Sequence, residues 1–538
     1  MHGLMQDRPL TLTQLLPGME RQYADSKVIT SYPAGPVTVT YLQTLERVHA
    51  LAAALDTLGV SPDARVATFA WNTQRHLELY LAVPCSGRVL HTVNHRLFAQ
   101  QIEYILRDAG DEIAFVERSM LATVWPVLER AAAIRHIVVV DDGTADPVPA
   151  DPRIVDYDQL IASALGTRHT FSVPDERTAS GLCYTSGTTG RPKGVLYDHR
   201  STVLHALMLQ VADGYAIRRQ DVVFPIVPMF HVNAWGYPYA AIMCGSTLSL
   251  PGPVTAPDRL AAQMERDRIT LGAAVTTVWT TVAPHLHGKD LSAVRSLICG
   301  GGKVPTSLSE QYRSTIGVHL SSGWGMTETS PAATYVAQPD APGIEPDRVD
   351  LLSRPGSSLP LVRFRIVDPP GSTNEMPWDG ETPGELQVCG PTVAGRYLNH
   401  AADDGFTEDG WLRTGDLAVL DPRGAVTIVD RVKDLIKSGG EWISSADLEN
   451  LLADHPSIAE AAVIARDDER WGERPLACLV LEPGQSLTAD EVRAFLDGKV
   501  AKWWIPDDIA VVASLPKTAT GKISKLRLRS SLGKAAGA

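Results

Sequence analysis

The stretch Tyr184-Thr185-Ser186-Gly187-Thr188-Thr189-Gly190-Arg191-Pro192-Lys193-Gly194 packs hydroxyls, glycines and one lysine into a single short loop. Glycine lets backbone amides approach a polyanion, hydroxyls add hydrogen bonds, and lysine adds charge. An apolar segment, Gly181 to Tyr184, leads into the loop, and Val195 and Leu196 follow it at once. A flexible Ser/Gly/Thr linker does not explain that direct run into apolar residues. The loop is not a Walker A motif, because no G-x-x-x-x-G-K-[ST] occurs. It reads as a phosphate cradle between two buried segments.

Outward from the loop, residues 40–223 alternate helical periodicity with short apolar runs. Tyr41 to Leu58 carries apolar residues at helical spacing. His136 to Val140 is a β-branched run ending in Asp141 and Asp142, and Ser296 to Cys299 is a buried-strand candidate ending in Gly300, Gly301 and Gly302. This alternation predicts parallel sheets covered by helices. After about residue 350 the texture changes. Val362 to Asp368, Gly384 to Cys389 and Ala425 to Asp430 read as half-polar strands between Pro and Gly turns, a smaller β-rich subdomain. Beyond the charged segment Arg431 to Lys437, Ser444 and Asp447 have capping-box spacing ahead of Leu448, Leu451 and Leu452. Ala461 to Ile464 and Leu476 to Leu481 then read as strands, and Ala489 to Lys502 as a helix.

The chain has 538 residues, more than one core accommodates. Hydrophobic residues make up 44% and charged residues 21%, a globular balance. Lys plus Arg total 49 against 62 acidic residues, a net charge of −13, which argues against nucleic-acid or anionic-membrane binding by the protein as a whole. The cysteines, Cys85, Cys183, Cys244, Cys299, Cys389 and Cys478, form no CxxC motif. With no signal pattern over Met1 to Leu16, they read as reduced thiols of a cytoplasmic protein. No stretch approaches the ~20 apolar residues a transmembrane helix needs.

Four further motifs follow in order: Trp324-Gly325-Met326-Thr327-Glu328, Trp411-Leu412-Arg413-Thr414-Gly415-Asp416, Asp430-Arg431-Val432-Lys433-Asp434 and Pro516-Lys517-Thr518-Ala519-Thr520-Gly521-Lys522-Ile523. With the 184–194 loop, they resemble the signature motifs of the adenylate-forming superfamily, which includes acyl-CoA synthetases, beetle luciferases and peptide-synthetase adenylation domains. The resemblance covers nearly the whole chain. It implies an α/β fold: a large N-terminal domain of stacked α/β subdomains (residues 1–430), with a small β-barrel-like subdomain over about 350–430, a hinge at 431–433, and a small mobile α+β C-terminal domain over 434–538.

The same resemblance implies an ATP-dependent acyl-CoA ligase working through an acyl-adenylate, with ATP, Mg²⁺ and coenzyme A. It assigns Thr185, Ser186, Gly187, Thr188, Thr189, Gly190 and Lys193 to the phosphates, with Gly301 and Gly302 also on the nucleotide side. Trp324 stacks on adenine beside Gly325 and Met326, Thr327 meets the α-phosphate, and Glu328 with Thr185 holds the metal. Those types suit the tasks: a π face for a base, a neutral donor for phosphate, hard oxygens for a hard cation. Asp416 and Arg431 reach the ribose. Lys433 is the pivot, Lys522 the catalytic lysine of adenylation, and Lys437, Ser438, Gly439 and Gly440 border the coenzyme A tunnel.

On the acid side, the resemblance places His231 close to the carboxylate, with Val232, Trp235 and Gly300 lining the acyl pocket. Trp235 matches an aromatic gate residue of long-chain enzymes. Gly272, Ala273, Ala274 and Val275 read as small residues leaving room for an acyl chain. No acidic residue in 228–236 is present to bind an amino group. The 430–445 stretch, with His91, Asn94, Arg96 and Leu97, is similar to the branch of medium- and long-chain fatty-acyl and methylthiopropionate ligases. An aryl-CoA ligase and a free-standing enzyme loading a carrier protein are the alternatives, and related long-chain enzymes leave a homodimer open. Two departures stand out: Asp430 where many relatives have Gly, and Trp324 where Tyr is commoner.

Overall fold

The computed structural model describes residues 1, 3–185, 191–212, 214–302, 304–336, 356–367, 374–400, 405–439, 441–517 and 523–532. They form two compact units, Met1–Val362 with Cys389–Phe406, and Arg363–Val388 with Thr407–Ala538.

The first unit is built on two seven-stranded sheets. One runs, in spatial order, Ile154–Asp156, His136–Val140, Asp111–Glu117, Arg65–Phe69, Val89–Thr92, Ala179–Tyr184 and Gly194–Asp198. Its pairs are parallel except the last. Parallel strands need crossover connections, and helices such as Tyr41–Thr57 pack over the sheets, leaving the strand interiors buried on both faces. That helix starts where a capping box places it: Thr40 accepts from the Gln43 amide, and Gln43 reaches back to Thr40. Phe69, Val116, Ile137 and Leu121 meet in the core beside the first sheet.

The second sheet runs Leu320–Gly323, Ser296–Gly300, Leu271–Val275, Val222–Pro225, Thr247–Leu250, Lys27–Tyr32 and Gly35–Thr40. Phe224, Leu297, Leu320 and the fully buried Trp279 fill its core. Asn72, just past the strand Arg65–Phe69, ties the two sheets together. Its amide donates to the Pro225 and Val227 carbonyls at 2.8 and 2.9 Å and accepts from the Met229 amide at 2.7 Å. That clamp fixes the chain as it enters the 228–236 segment.

The second unit holds a four-stranded sheet in the order Arg363–Val367, Gly384–Cys389, Leu412–Leu420 and Val426–Arg431. A five-stranded sheet follows, with Gly472–Leu481 between Ile458–Asp468 and Ile436–Ser438 and also paired to Asp508–Val511. The helix Ser445–Ala453 begins at the expected cap, Ser444 accepting from the Asp447 amide. One expectation fails. The helix from Ala489 ends at Leu496 and not Lys502, because Asp497 is extended and Gly498 turns left-handed (φ +75°). No helix among the described residues is long and apolar enough to cross a membrane.

Candidate functional site

The phosphate loop joins two antiparallel neighbours of the first sheet. Tyr184 pairs with Gly194 and Cys183 with Val195, which sets the two ends of the loop side by side. Its ends are held shut. The Thr185 amide donates to the Lys193 carbonyl at 2.9 Å, and the Lys193 amide donates to the Thr185 hydroxyl at 3.3 Å. Ser186, Gly187, Thr188, Thr189 and Gly190 lie outside the described residues.

Two distant segments meet these ends. Leu398 donates its amide to the Gly194 carbonyl at 2.8 Å. Tyr397 then puts its ring under the Lys193 ammonium, 4.7 Å from the centroid, and donates its hydroxyl to Glu328 Oε1 at 2.6 Å. Glu328 is 6% exposed. Its turn is fixed from both sides: Tyr197 donates to the Thr327 carbonyl at 2.6 Å, and the Ala394 amide donates to the Glu328 carbonyl at 2.7 Å. Gly325 is obligatory here. A Cβ at that position would run into the Pro331 carbonyl oxygen, where Gly325 pairs with Ala332 across the turn. Trp324, whose backbone brackets Thr334, is half-buried. Met326 opens the short 3₁₀ turn Thr327–Thr329. Gly301 (φ +81°) and Gly302 are exposed beyond the strand Ser296–Gly300.

The sequence reading missed Tyr397, which connects the lysine to the carboxylate. It also missed an anchor behind the loop. Tyr184 donates to Asp108 Oδ2 at 2.6 Å, and Asn399 donates to the Asp108 carbonyl at 2.8 Å. Burial, followed by the Asp108 carboxylate, pushes the Tyr184 phenol up. No local spacing marks Tyr397 or Asp108, because each acquires its partner only through contacts distant in sequence.

The acyl-side segment is bent sharply. Val232, Asn233, Ala234 and Trp235 are all left-handed, with φ of 47°, 54°, 48° and 55°. Four consecutive non-glycine residues in that region are costly and persist only where surrounding packing holds them. Here Val232 and Trp235 pack with Tyr397 and with Cys183, Val195 and Tyr197, the last three on the strands that carry the phosphate loop. His231, half-buried, precedes the turn and donates its amide to the Pro228 carbonyl at 2.9 Å. A Cβ on Gly300 would sit 2.6 Å from the Trp235 ring, so the indole occupies the space that this glycine leaves. The Gly272–Val275 reading is corrected. A Cβ on Gly272 would meet Leu297 at 2.9 Å and Trp279 at 3.0 Å, and Ala274 sits in the same core, so this space serves internal packing.

The remaining candidates belong to the second unit. Asp416 and Arg431 are cross-strand partners, joined by Arg431 Nε to Asp416 Oδ1 at 2.6 Å. Asp416 is 3% exposed, whereas the Arg431 side chain keeps 43% exposure and further donors. Gly415 takes φ +69°, and its carbonyl accepts from the Val432 amide at 2.9 Å. Burial pulls the Lys433 ammonium below its usual range. Lys437 lies over the exposed Trp442, and the Ser438 hydroxyl accepts from Arg474 at 3.0 Å. Gly439 (φ +61°) lies under Trp471, where a Cβ would come within 2.8 Å of the ring. Gly440 and Lys522 lie outside the described residues. Among the described residues, no His/Cys/Asp/Glu cluster of metal-site type occurs.

Residues 19–398 match a family model described as AMP-binding enzyme, and residues 447–522 match AMP-binding enzyme C-terminal domain. The chain is 40% identical over 535 residues to a 3-methylmercaptopropionyl-CoA ligase of Ruegeria lacuscaerulensis, covering 98% of both chains. It is 40% identical over 533 residues to a long-chain-fatty-acid–CoA ligase of Thermus thermophilus, covering 98% of this chain and 96% of the relative. In structure it is similar to ATP-bound MatB from Rhodopseudomonas palustris, with TM-score 0.84, 25% identity, and coverage of 97% and 99%.

Proposed function

This chain belongs to the AMP-binding enzyme family and is an ATP-dependent acyl-CoA ligase, and from that premise we propose which acid it activates and which residues carry the reaction. The acid is a medium- or long-chain fatty acid or a similar aliphatic acid. The observation that carries this reading is the 40% identity, over nearly full length, to two ligases named for aliphatic acids. The apolar setting of Val232 and Trp235 supports it, as does the lack of a carboxylate in 228–236.

A carboxylate attacks the α-phosphate of ATP, anion against anion, so the site must neutralise charge and align the reactants. Lys193, held over Tyr397, supplies a cation at the end of the phosphate loop. Thr185 and Glu328 offer the hard oxygens that fit Mg²⁺ held mainly by nucleotide phosphates. When bound there, Mg²⁺ would supply further charge neutralisation. Tyr397 holds Glu328 Oε1 by its hydroxyl and so fixes where the carboxylate sits. Trp324 takes the adenine face and Thr327 the α-phosphate. Asp416, with Arg431 beside it, accepts the ribose hydroxyls. Lys522 stabilises the charge shared between the attacking carboxylate and the α-phosphate. His231 orients the acid carboxylate.

In the second half-reaction the coenzyme A thiol attacks the acyl carbonyl and AMP leaves. Lys522 is no longer needed once pyrophosphate has gone, so the C-terminal segment pivots at Lys433. Lys437, Ser438, Gly439 and Gly440 then border the incoming pantetheine. The test is a pyrophosphate-release panel of octanoate, palmitate, 3-methylmercaptopropionate and benzoate with ATP, Mg²⁺ and coenzyme A. An aliphatic acid should give the highest kcat/KM. Preference for benzoate would overturn the aliphatic reading.

A further inference from the structure

The segment that follows Lys522 is tied to the ribose-side residues by an unbroken series of polar contacts within the second unit. Lys525 opens the helix Lys525–Leu532. Its side chain is 14% exposed, and its ammonium reaches Ser445 Oγ at 2.7 Å and Glu449 Oε1 at 2.7 Å. Glu449 also accepts the Val463 amide at 2.7 Å, which joins the pair to the central strands. Ser445 passes the connection on. Its hydroxyl and amide both donate to Asp430 Oδ2, at 2.7 and 2.6 Å, and the Ala446 amide adds a longer contact at 3.3 Å. The other Asp430 oxygen accepts the Arg431 amide at 2.7 Å, and the Arg431 side chain holds Asp416.

Asp430, the departure from Gly seen in the sequence, is therefore 4% exposed and fully used. A second strap runs alongside. Arg529, one turn on from Lys525, pairs with Asp434 at 2.7 Å and donates to the Lys433 carbonyl at 3.3 Å. Leu528, between them, is buried with Ile464, Leu476 and Leu515. On the upstream side, Lys517 bridges to Ile523, and the Ser524 amide donates to the Pro516 carbonyl at 2.7 Å, so the base of the 517–523 connection is closed.

Burying an ion pair does not by itself repay its desolvation, and replacement by apolar groups is often neutral for stability. A half-buried lysine joined to a serine and a glutamate, and through the serine to Asp430, instead selects one geometry. We propose that Lys525, through Ser445 and Asp430, is a positioning residue for acyl-adenylate formation. It sets the register between the segment bearing Lys522 and the Asp416–Arg431 pair. This inference rests on the roles of Lys522 and Asp416 proposed above.

The test separates the two half-reactions. The double variant Lys525→Met/Glu449→Gln removes the pair without leaving a lone buried charge. Acyl-AMP formation from acid and ATP should fall at least ten-fold in kcat, with the KM for ATP within about two-fold. Thioester formation from supplied acyl-AMP and coenzyme A should stay within two-fold, and thermal unfolding should stay close to that of the parent. Lys525→Arg should recover most of the loss, because guanidinium reaches both partners with charge retained. Loss in both half-reactions alike, or in neither, would overturn the proposal. Lys522→Ala serves as the reference: if it leaves acyl-AMP formation intact, the role assigned to Lys522 fails, whatever the Lys525 variants do.

Discussion

The two units hold their site residues by different physics. In the first, the phosphate-loop ends and the Glu328 turn rest on sheet strands and an apolar cluster of Cys183, Val195, Tyr197, Val232 and Tyr397. Polar contacts there are directed, among them Tyr397 to Glu328 and Tyr184 to Asp108. In the second, the candidate residues are held by charge: Arg431 to Asp416, Lys525 to Glu449, Arg529 to Asp434 and Arg474 to Asp507. Close packing is most sensitive to a change of shape. A paired network is most sensitive to a change of charge, because removing one partner strands the other. The site residues of the first unit are thus most sensitive to a change of shape, those of the second to the loss of one charged partner.

Steric change should therefore be most damaging in the first unit. Gly325→Ala drives a methyl into the Pro331 carbonyl. Acyl-AMP formation should fall by about two orders of magnitude, with destabilisation of ~1–3 kcal/mol or more from overpacking. Pyrophosphate release and thermal unfolding check this, and near-parental activity would mean that the turn has room to relax. Tyr397→Phe keeps the ring beneath Lys193 but removes the hydrogen bond to Glu328. A hydrogen bond to a charged group contributes ~1.5–3 kcal/mol, so acyl-AMP formation should drop about ten-fold or more. Stability should fall by no more than that amount in thermal unfolding.

Protonation distinguishes the units further. Burial holds His76, His95, His199 and His205 of the first unit down at about 4, against 6.5 when unfolded. The unfolded chain binds those protons first, so stability falls as pH drops from 6.5 towards 4. Glu117 is the reverse case. Burial raises its carboxyl to about 8 from 4.5, so the folded state keeps a proton that the unfolded chain has lost. Its contribution is full below pH 4.5 and disappears as pH rises to about 8. Four histidines outweigh one glutamate below pH 6.5, and above it the buried carboxyls act, Glu117 together with Glu78 and Asp111, which burial also raises. The unfolding midpoint should peak near pH 6.5 and decline towards pH 8, and Glu117→Gln should flatten that decline. An unchanged alkaline limb in the variant would assign the decline to other groups.

The smallest effect is expected where charge is fully wet. Asp490 pairs with Arg493 on an exposed helix face of the second unit. Asp490→Asn should change stability by no more than ~0.5 kcal/mol in chemical denaturation, in keeping with exposed i,i+3 pairs. A larger change would show that even the surface pairs of this unit matter.

Local pattern made several elements legible. His136–Val140, read from its β-branched run, and Gly384–Cys389, read between Pro and Gly turns, have the expected strand bounds. The helix ending at Leu496 escaped, because Ala489 to Lys502 keeps an apolar period that Gly498 interrupts without an obvious break in composition.

The amino-acid order alone determined the family, the order of its motifs and the residue types for nucleotide chemistry, since each of these is a short stretch whose members are neighbours. Only the tertiary structure decided that Tyr397 links Lys193 to Glu328, that Trp235 fills the space over Gly300, and that Asp430 reaches Lys525 through Ser445. These pairs are dozens of residues apart or more, and no periodicity connects them. Their meeting depends on which strands lie side by side and where a glycine lets a ring approach, quantities that belong to packing and not to local composition.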